Sequence, residues 1–350
     1  DEFSNILDDY YEYDKNLQNQ LVSLRDLISN QKDLSKYSEK LTELERNLTL
    51  FHAYAINQSI KKYKDPIDLV GFHGQTIFHN PNVKTTKQLG DGKLLSQIIK
   101  KKVVYDFRHA DVQNNGQGAP LTPVFHYVLS KKIQSNSNIE FPIGFLNIGG
   151  IANVTKVSKI SDKIQKNLSA HDIGPGNCLI DEWIRKNSNK KFDKNGDLAK
   201  IGRVDQLILN QAIDNFKINS YSQSLDVKNF DVSFAKGLSI EDGCATITNF
   251  TAYLISQGLE YVSQNDNITF LICGGGRKNN YLLNCIKNYL VNKEKINLEI
   301  IDNYNLNGDY VESQAFGFLA IRSYLNLPIS FNTTTGCNGF TVGGKLVENF

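Results

Sequence analysis

Through the first sixty residues, apolar positions recur at helical spacing: Leu21, Leu24 and Leu27, then Leu41, Leu44 and Leu48, in a background of Asn and Lys. That period predicts two amphipathic helices with a polar outer face. The pattern then changes. Ile67 to Phe72 reads as a buried strand ending in His73-Gly74-Gln75-Thr76, and Val103 to Tyr105 as another ending in Asp106-Phe107-Arg108-His109. A Gly/Gln/Asn/Pro loop follows between Asp111 and Pro123. Ile143 to Ile148 and Ile151 to Val157 flank Gly149-Gly150, the spacing of a hairpin with a two-residue turn. His171-Asp172-Ile173-Gly174-Pro175-Gly176-Asn177 reads as a turn, followed by a helix carrying Leu179, Ile180, Trp183 and Ile184. Further on come a long helix after Asp242, a strand from Thr269 to Cys273, a turn at Gly274-Gly275-Gly276, a helix from Tyr281 to Leu290, a strand from Leu298 to Ile301 and a helix from Glu312 to Leu325. Strands and helices mix along the chain, so the expected class is α/β.

Length and charge narrow the function. At 350 residues the chain exceeds one ordinary domain, which predicts two lobes. Lys and Arg number 39 against 37 Asp and Glu, a net charge of +2, which argues against a dedicated binder of nucleic acid or of a membrane surface. No apolar run approaches the roughly 20 residues needed to span a bilayer, and the opening Asp1-Glu2-Phe3 lacks a signal-peptide pattern, so a cytoplasmic protein is expected. The five cysteines are scattered without a CxxC pair, which predicts reduced thiols. The six histidines show no metal-site spacing, and no metal ligand is assigned.

The candidate chemistry lies where strands end in Gly with Asp, Asn, Gln or Thr, because open α/β sheets bind ligands beyond their carboxyl ends. Neither GxxxxGK[ST] nor GxGxxG occurs. Asp172 is the sharpest candidate, placed before a Gly-rich turn and a helix N-terminus that favours anions. On its own it reads equally well as a capping or turn aspartate. Trp183 reads as core, and His109, His126 and His171 as structural or exposed.

Longer motifs add to this. GFHGQTIFHNP (Gly71 to Pro81), DFRHADVQNNGQGAPLTPVFH (Asp106 to His126), LNIGGIANVT (Leu146 to Thr155), DIGPGNCLIDEWI (Asp172 to Ile184), CGGGRKN (Cys273 to Asn279) and GDYVESQAFGFLA (Gly308 to Ala320) occur in that order. Together they resemble the 1,6-anhydro-N-acetylmuramic acid kinases, bacterial enzymes of peptidoglycan recycling. The resemblance implies a two-lobed, actin-like (sugar kinase and heat-shock-protein-70) ATPase fold with an interdomain cleft, divided as 1–138 and 139–350. It implies a reaction in which ATP, water and the anhydro-sugar give N-acetylmuramate 6-phosphate and ADP. Asp172 then matches the catalytic base. Gly149, Gly150, Asn153, Gly174, Gly176, Asn177, Gly274, Gly275 and Gly276 fall on the nucleotide side, and His73, Gln75, Asp106, Arg108 and Glu312 on the sugar side. ATP with Mg²⁺ is the implied cofactor set, and a homodimer is a candidate assembly.

Two features depart from that pattern. The family's first phosphate loop, GTSxDGxD, does not occur in this sequence, so the expectation is that it lies upstream or that this member lacks it. The STGRE-type substrate segment is replaced by Ser224-Leu225-Asp226-Val227-Lys228, without its Arg. The competing readings are a non-catalytic sugar- or nucleotide-binding protein on the same fold and a kinase for another amino sugar. The first would be favoured by true absence of the loop, the second by turnover with a control sugar.

Overall fold

The computed structural model describes residues 3–63, 65–216, 221 and 223–350. Its strands are β1 (Leu69–Phe72), β2 (Gln75–Asn80), β3 (Thr85–Leu89), β4 (Lys102–Tyr105), β5 (Ile143–Ile148), β6 (Ile151–Val157), β7 (Leu168–Pro175), β8 (Ile268–Cys273), β9 (Ile296–Ile300), β10 (Ser330–Phe331), β11 (Phe340–Thr341) and β12 (Lys345–Val347). The α/β expectation holds. The chain forms two compact units, one of residues 1–125 with 312–350 and the other of residues 126–311. The division expected from the sequence was 1–138 against 139–350. In the structure residues 312–350 group with residues 1–125, where β12 adds antiparallel to β4.

In the first unit, three helices occupy the stretch where two were expected: Lys15–Leu27, Gln31–Lys36 and Ser38–Lys62. The break is local chemistry. Asn30 and Asp33 form a reciprocal capping box that starts a new helix after Ile28. Leu17, Leu21, Leu24, Leu41, Leu44 and Leu48 pack with Ile77, Phe78 and Leu89, whereas Leu27, expected on this apolar face, is exposed and Ile28 takes the buried place. Ile77 and Phe78 belong to β2, which forms an antiparallel hairpin with β3 that the sequence pattern had not indicated. β1 lies parallel to β4, so His73 and Asp106 leave the sheet at the same end.

The second unit is built on one five-stranded sheet, in the order β7-β6-β5-β8-β9. β5, β8 and β9 run parallel, while β6 and β7 are antiparallel neighbours beyond β5. Helices Cys178–Asn187, Ile240–Ser263 and Asn280–Tyr289 supply much of its core, including Trp183 as expected, whose indole Nε1 donates to the Ile240 carbonyl at 2.9 Å. The hairpin foreseen around Gly149-Gly150 is present. One correction concerns β7, since the segment read as a turn at Asp172 and Gly174 is the end of a strand paired with β6.

Candidate functional site

Register brings the nucleotide-side candidates of the second unit together. Asn147 of β5 stands opposite Asn153 of β6, and Asn153 stands opposite Asp172 of β7. Directly opposed residues share a face of the sheet, so three polar side chains form a row across three strands. On the other side of β5, Asn147 is in register with Cys273 of β8, whose Sγ approaches Asn147 Oδ1 at 3.9 Å. The row crosses a sheet whose neighbouring positions, Leu146, Ile148, Ala152, Val154 and Ile173, are fully buried and apolar. Asp172 itself is buried, and its Oδ2 accepts the Leu225 N–H at 2.8 Å. Leu225 lies in the segment that replaces the STGRE-type motif.

The Gly-rich turns gather at the end of this row, and they divide into two kinds. Gly176, Gly274 and Gly276 are explained by packing. A Cβ on Gly176 would lie 2.3 Å from the Gly149 carbonyl oxygen, one on Gly274 would lie 2.4 Å from Asn147 Oδ1, and one on Gly276 would lie 2.2 Å from Ile148 Cγ2. Gly274 also has φ +78°, a region that side chains avoid. By contrast, among the described residues no atom lies closer than 3.6 Å to the place of a Cβ on Gly149, Gly150 or Gly275. Neither Gly149 nor Gly150 has positive φ, so the turn does not use the left-handed conformation that favours glycine. The small residue there has no internal steric reason.

The helix N-terminus after Asp172 also differs from expectation. The N–H groups of Gly176 and Cys178 donate to the Gly150 carbonyl at 2.9 and 3.2 Å, and that of Asn177 donates to the Gly149 carbonyl at 2.7 Å. These amides tie the helix to the hairpin turn rather than offering themselves to an anion. Asn177 Nδ2 adds a bond to the Ile148 carbonyl at 3.3 Å. Within the helix, burial and the nearby Asp193 push the Asp181 carboxyl up to about 6.

Arg277, which no strand-end pattern singles out, fixes the third glycine segment. It is buried, with Nε and NH2 on Asp302 Oδ2 and Oδ1 at 2.7 and 3.1 Å, and NH1 on Asp309 Oδ1 at 2.7 Å and on the Gly274 carbonyl at 3.1 Å. Gly308 allows this approach, because a Cβ there would sit 2.5 Å from Arg277 Nε. Paired with Arg277 and Lys278, the Asp309 carboxyl is held down at about 2.

The sugar-side candidates lie in the first unit. His73 and Arg108 are directly bonded, Arg108 Nε donating to His73 Nε2 at 3.0 Å, while His73 Nδ1 meets the Gly74 carbonyl at 2.9 Å. Both contacts require the neutral ring protonated on Nδ1. Burial, with the Arg108 charge second, pushes His73 down to about 3. Arg108 NH1 donates to the Gly118 carbonyl at 3.1 Å. Asp106 has φ +56°, uncommon for a residue with a side chain, and pairs with Lys345 Nζ at 2.7 Å. Gln75 opens β2. Glu312 is exposed, one turn before Phe316 on helix Val311–Tyr324, and the Phe316 ring lies 4.2 Å from that of His73. Gly71 lets that helix approach, its Cβ position being 2.5 Å from the Phe316 carbonyl oxygen.

The remaining candidates follow simpler rules. His126 stacks on Phe145 at 4.5 Å and bonds Thr155 Oγ1 at 2.8 Å, a core histidine. All five cysteines are free and buried, and burial pushes the Cys178 thiol up to about 12. Among the described residues no group of three or more His, Cys, Asp or Glu could hold a metal ion. Among them, too, no helix is long and apolar enough to cross a membrane.

The model of the anhydro-N-acetylmuramic acid kinase family matches residues 1–348. The anhydro-N-acetylmuramic acid kinase of Pelagibacter ubique (strain HTCC1062) is 48% identical over 350 residues, covering 99% of this chain and 91% of that protein. The protein of the same name from Methylobacterium nodulans is 37% identical over 308 residues, 87% of this chain and 79% of the relative. That of Brucella canis is 35% identical over 321 residues, 91% and 84%. Among solved structures, the activator of the 2-hydroxyisocaproyl-CoA dehydratase from Clostridium difficile with bound ADPNP is 16% identical, with a TM-score of 0.31, over 54% of this chain and 65% of that one. That likeness carries no argument.

Proposed function

The chain belongs to the anhydro-N-acetylmuramic acid kinase family, and from that membership we propose how its residues carry the reaction. It is an ATP-dependent sugar kinase that opens the 1,6-anhydro ring of anhydro-N-acetylmuramic acid and phosphorylates O6. Water adds to C1, the C1–O6 bond breaks, and the freed O6 takes the γ-phosphoryl group as the bond to the β-phosphate oxygen breaks. ADP leaves. The observation that best supports the residue assignment is the Asn147–Asn153–Asp172 row, which sets one carboxylate among neutral donors at the end of an apolar sheet.

Asp172 is the base in this reading. Its Oδ2 accepts the Leu225 N–H, which fixes the carboxylate that takes a proton from water. The glycines with room, Gly149, Gly150 and Gly275, are where a backbone would approach phosphate or nucleoside closely. Gly174, Gly176, Gly274 and Gly276, with Asn177, shape the same loops. His73, Gln75, Asp106, Arg108 and Glu312 line the sugar. Neutral His73 holds Arg108 without competing for its charge, so the guanidinium keeps a full positive charge for an anionic or hydroxyl partner.

Mg²⁺ is part of the proposal. Asn153, in the row beside Asp172, is the side chain that would meet the ion's water shell. When bound, it neutralises charge on the phosphates. A cytoplasmic location follows from the use of ATP, and a homodimer, testable by sedimentation, is retained from the resemblance. The experiment is ADP release by the full chain with ATP and anhydro-N-acetylmuramate, beside N-acetylglucosamine. Turnover with the anhydro-sugar alone is expected. Equal turnover with both would transfer the reading to another amino-sugar kinase, and binding of both ligands without ADP would leave a non-catalytic binder.

A further inference from the structure

Asp111 is a carboxylate with no solvent exposure, one turn after Arg108, and the reaction as read above makes no use of it. It sits in the short helix His109–Gln113 and gathers three donors. Its Oδ2 accepts the Gly118 N–H at 2.7 Å, and its Oδ1 accepts Thr335 Oγ1 at 2.7 Å and the Ser330 hydroxyl. A buried carboxylate is costly unless its lone pairs are filled, and bonds to an ionised acceptor are about twice as strong as neutral ones. Such a group fixes what it touches.

What it touches leads to the sugar side. Gly118 receives Asp111 on its N–H and gives its carbonyl to Arg108 NH1 at 3.1 Å. Arg108 donates its Nε–H to His73, and the His73 ring lies tilted against that of Phe316. The same loop is closed on the other side by the Gln117 N–H on the Thr335 carbonyl at 2.7 Å and by His79 Nε2 on the Gln117 carbonyl at 2.8 Å. Gly116 must lack a side chain because a Cβ would lie 2.1 Å from Asp111 Oδ2. With Nε and NH1 both committed, the plane of the Arg108 guanidinium is set by His73 and by the Gly118 carbonyl, and the latter by Asp111.

We propose that Asp111 is a positioning residue for sugar recognition, acting through Gly118 on Arg108, with Ser330 and Thr335 of the C-terminal segment as its anchors. The inference rests on the sugar-side reading of Arg108. It does not require Asp111 to meet the substrate. Asp111→Asn should be mild: its amide oxygen can still accept from Gly118 while the two hydroxyls turn to accept from its NH2 group. Asp111→Ala removes the acceptor of all three donors and leaves Thr335 Oγ1 only the longer contact with the Phe331 carbonyl at 3.5 Å.

The test compares steady-state kinetics of the full chain carrying Asp111→Ala, Asp111→Asn, Arg108→Ala and Arg108→Ala with Asp111→Ala. We expect Asp111→Ala to raise the KM for the anhydro-sugar about tenfold and that for ATP by less than about twofold, with Asp111→Asn restoring most of the loss. In the absence of Arg108, Asp111→Ala should add less than about twofold, since both changes break one chain of contacts. A rise in both KM values together, or full additivity with Arg108→Ala, would overturn the proposal and leave Asp111 a general fold anchor. A silent Arg108→Ala would instead overturn the sugar-side reading itself. If Asp111→Ala does not fold, Thr335→Val, which removes one donor, carries the same comparison with a smaller sugar-specific effect expected.

Discussion

At the residue scale the structure separates glycines the fold requires from glycines it only permits. Gly176 lies against the Gly149 carbonyl, so Gly176→Ala pushes a methyl into backbone and should cost about 1–3 kcal/mol of stability. Gly150 faces open space with Val227 3.8 Å away, so the folded protein should tolerate Gly150→Val. If its smallness serves the nucleotide, calorimetry on Gly150→Val will show weaker ATP binding, sugar binding close to normal and a nearly unchanged melting temperature. Equal loss of both ligands, or a large drop in melting temperature, would mean that the turn is structural. Asn147 was not singled out beforehand. Its only signal was a polar residue inside an otherwise apolar strand, and only the register with Asn153 and Asp172 gives it meaning.

At the scale of elements, the clasp of Arg277 on Asp302 and Asp309 joins the Gly274–Lys278 segment to the loop after β9. Breaking a fully buried ion pair costs about 3–5 kcal/mol, but both carboxylates here are partly exposed, so about 2 kcal/mol is expected for Arg277→Met. ATP affinity should fall by about tenfold or more, because Gly274 loses its tether, and sugar affinity should change little. Titrations showing unaltered ATP affinity would remove this segment from the nucleotide side. Sequence periodicity had no access to the clasp, since Arg277 and Asp302 are twenty-five residues apart and only the fold makes them partners. The elements that were legible, such as β5, β6 and β8, are runs of β-branched and aromatic residues bounded by glycine. β7 was missed because Gly174 and Pro175 mimic a turn, and β2 with β3 because Gln, Thr, Lys and Asn in that hairpin do not alternate cleanly with apolar residues. In the site, strand-end Asp, Asn and Gly residues were visible as candidates, but which glycines are packed and which are open depends on tertiary contacts.

For the whole molecule, three histidines packed into the fold, His126 fully buried and His52 and His73 partly so, dominate the response to acid. Burial pushes His52 down to about 4, and His73 and His126 down to about 3, from an ordinary value of 6.5. Each is neutral in the folded chain and protonated in the unfolded chain below about pH 6.5, so unfolding takes up protons. Their stabilising contribution is complete above pH 6.5 and is lost as pH falls toward 4 and 3. In the middle of that window each proton adds about 1.4 kcal/mol per pH unit to the slope. Asp309 adds a second window, from about 4 down to its depressed value near 2. Asp181, raised to about 6, opposes this by up to one proton below pH 6, but the three histidines outweigh it. Urea midpoints should therefore drop between pH 7.5 and 5, and His126→Gln should flatten the slope by one proton. A midpoint independent of pH across that range would contradict these histidine environments.

The central claim is that Asp172, held by the Leu225 N–H at the end of the Asn147–Asn153 row, is the base that activates water. Its most direct test is the rate of ADP release by Asp172→Asn in the full chain, at saturating ATP and anhydro-N-acetylmuramate, beside calorimetric titration of ATP. Asn keeps the shape and a hydrogen-bond acceptor for Leu225 but cannot take a proton. Turnover should fall by about 10²-fold or more while ATP affinity stays within about threefold of the unsubstituted protein. Turnover close to normal in a folded Asn variant would make Asp172 structural and contradict the account.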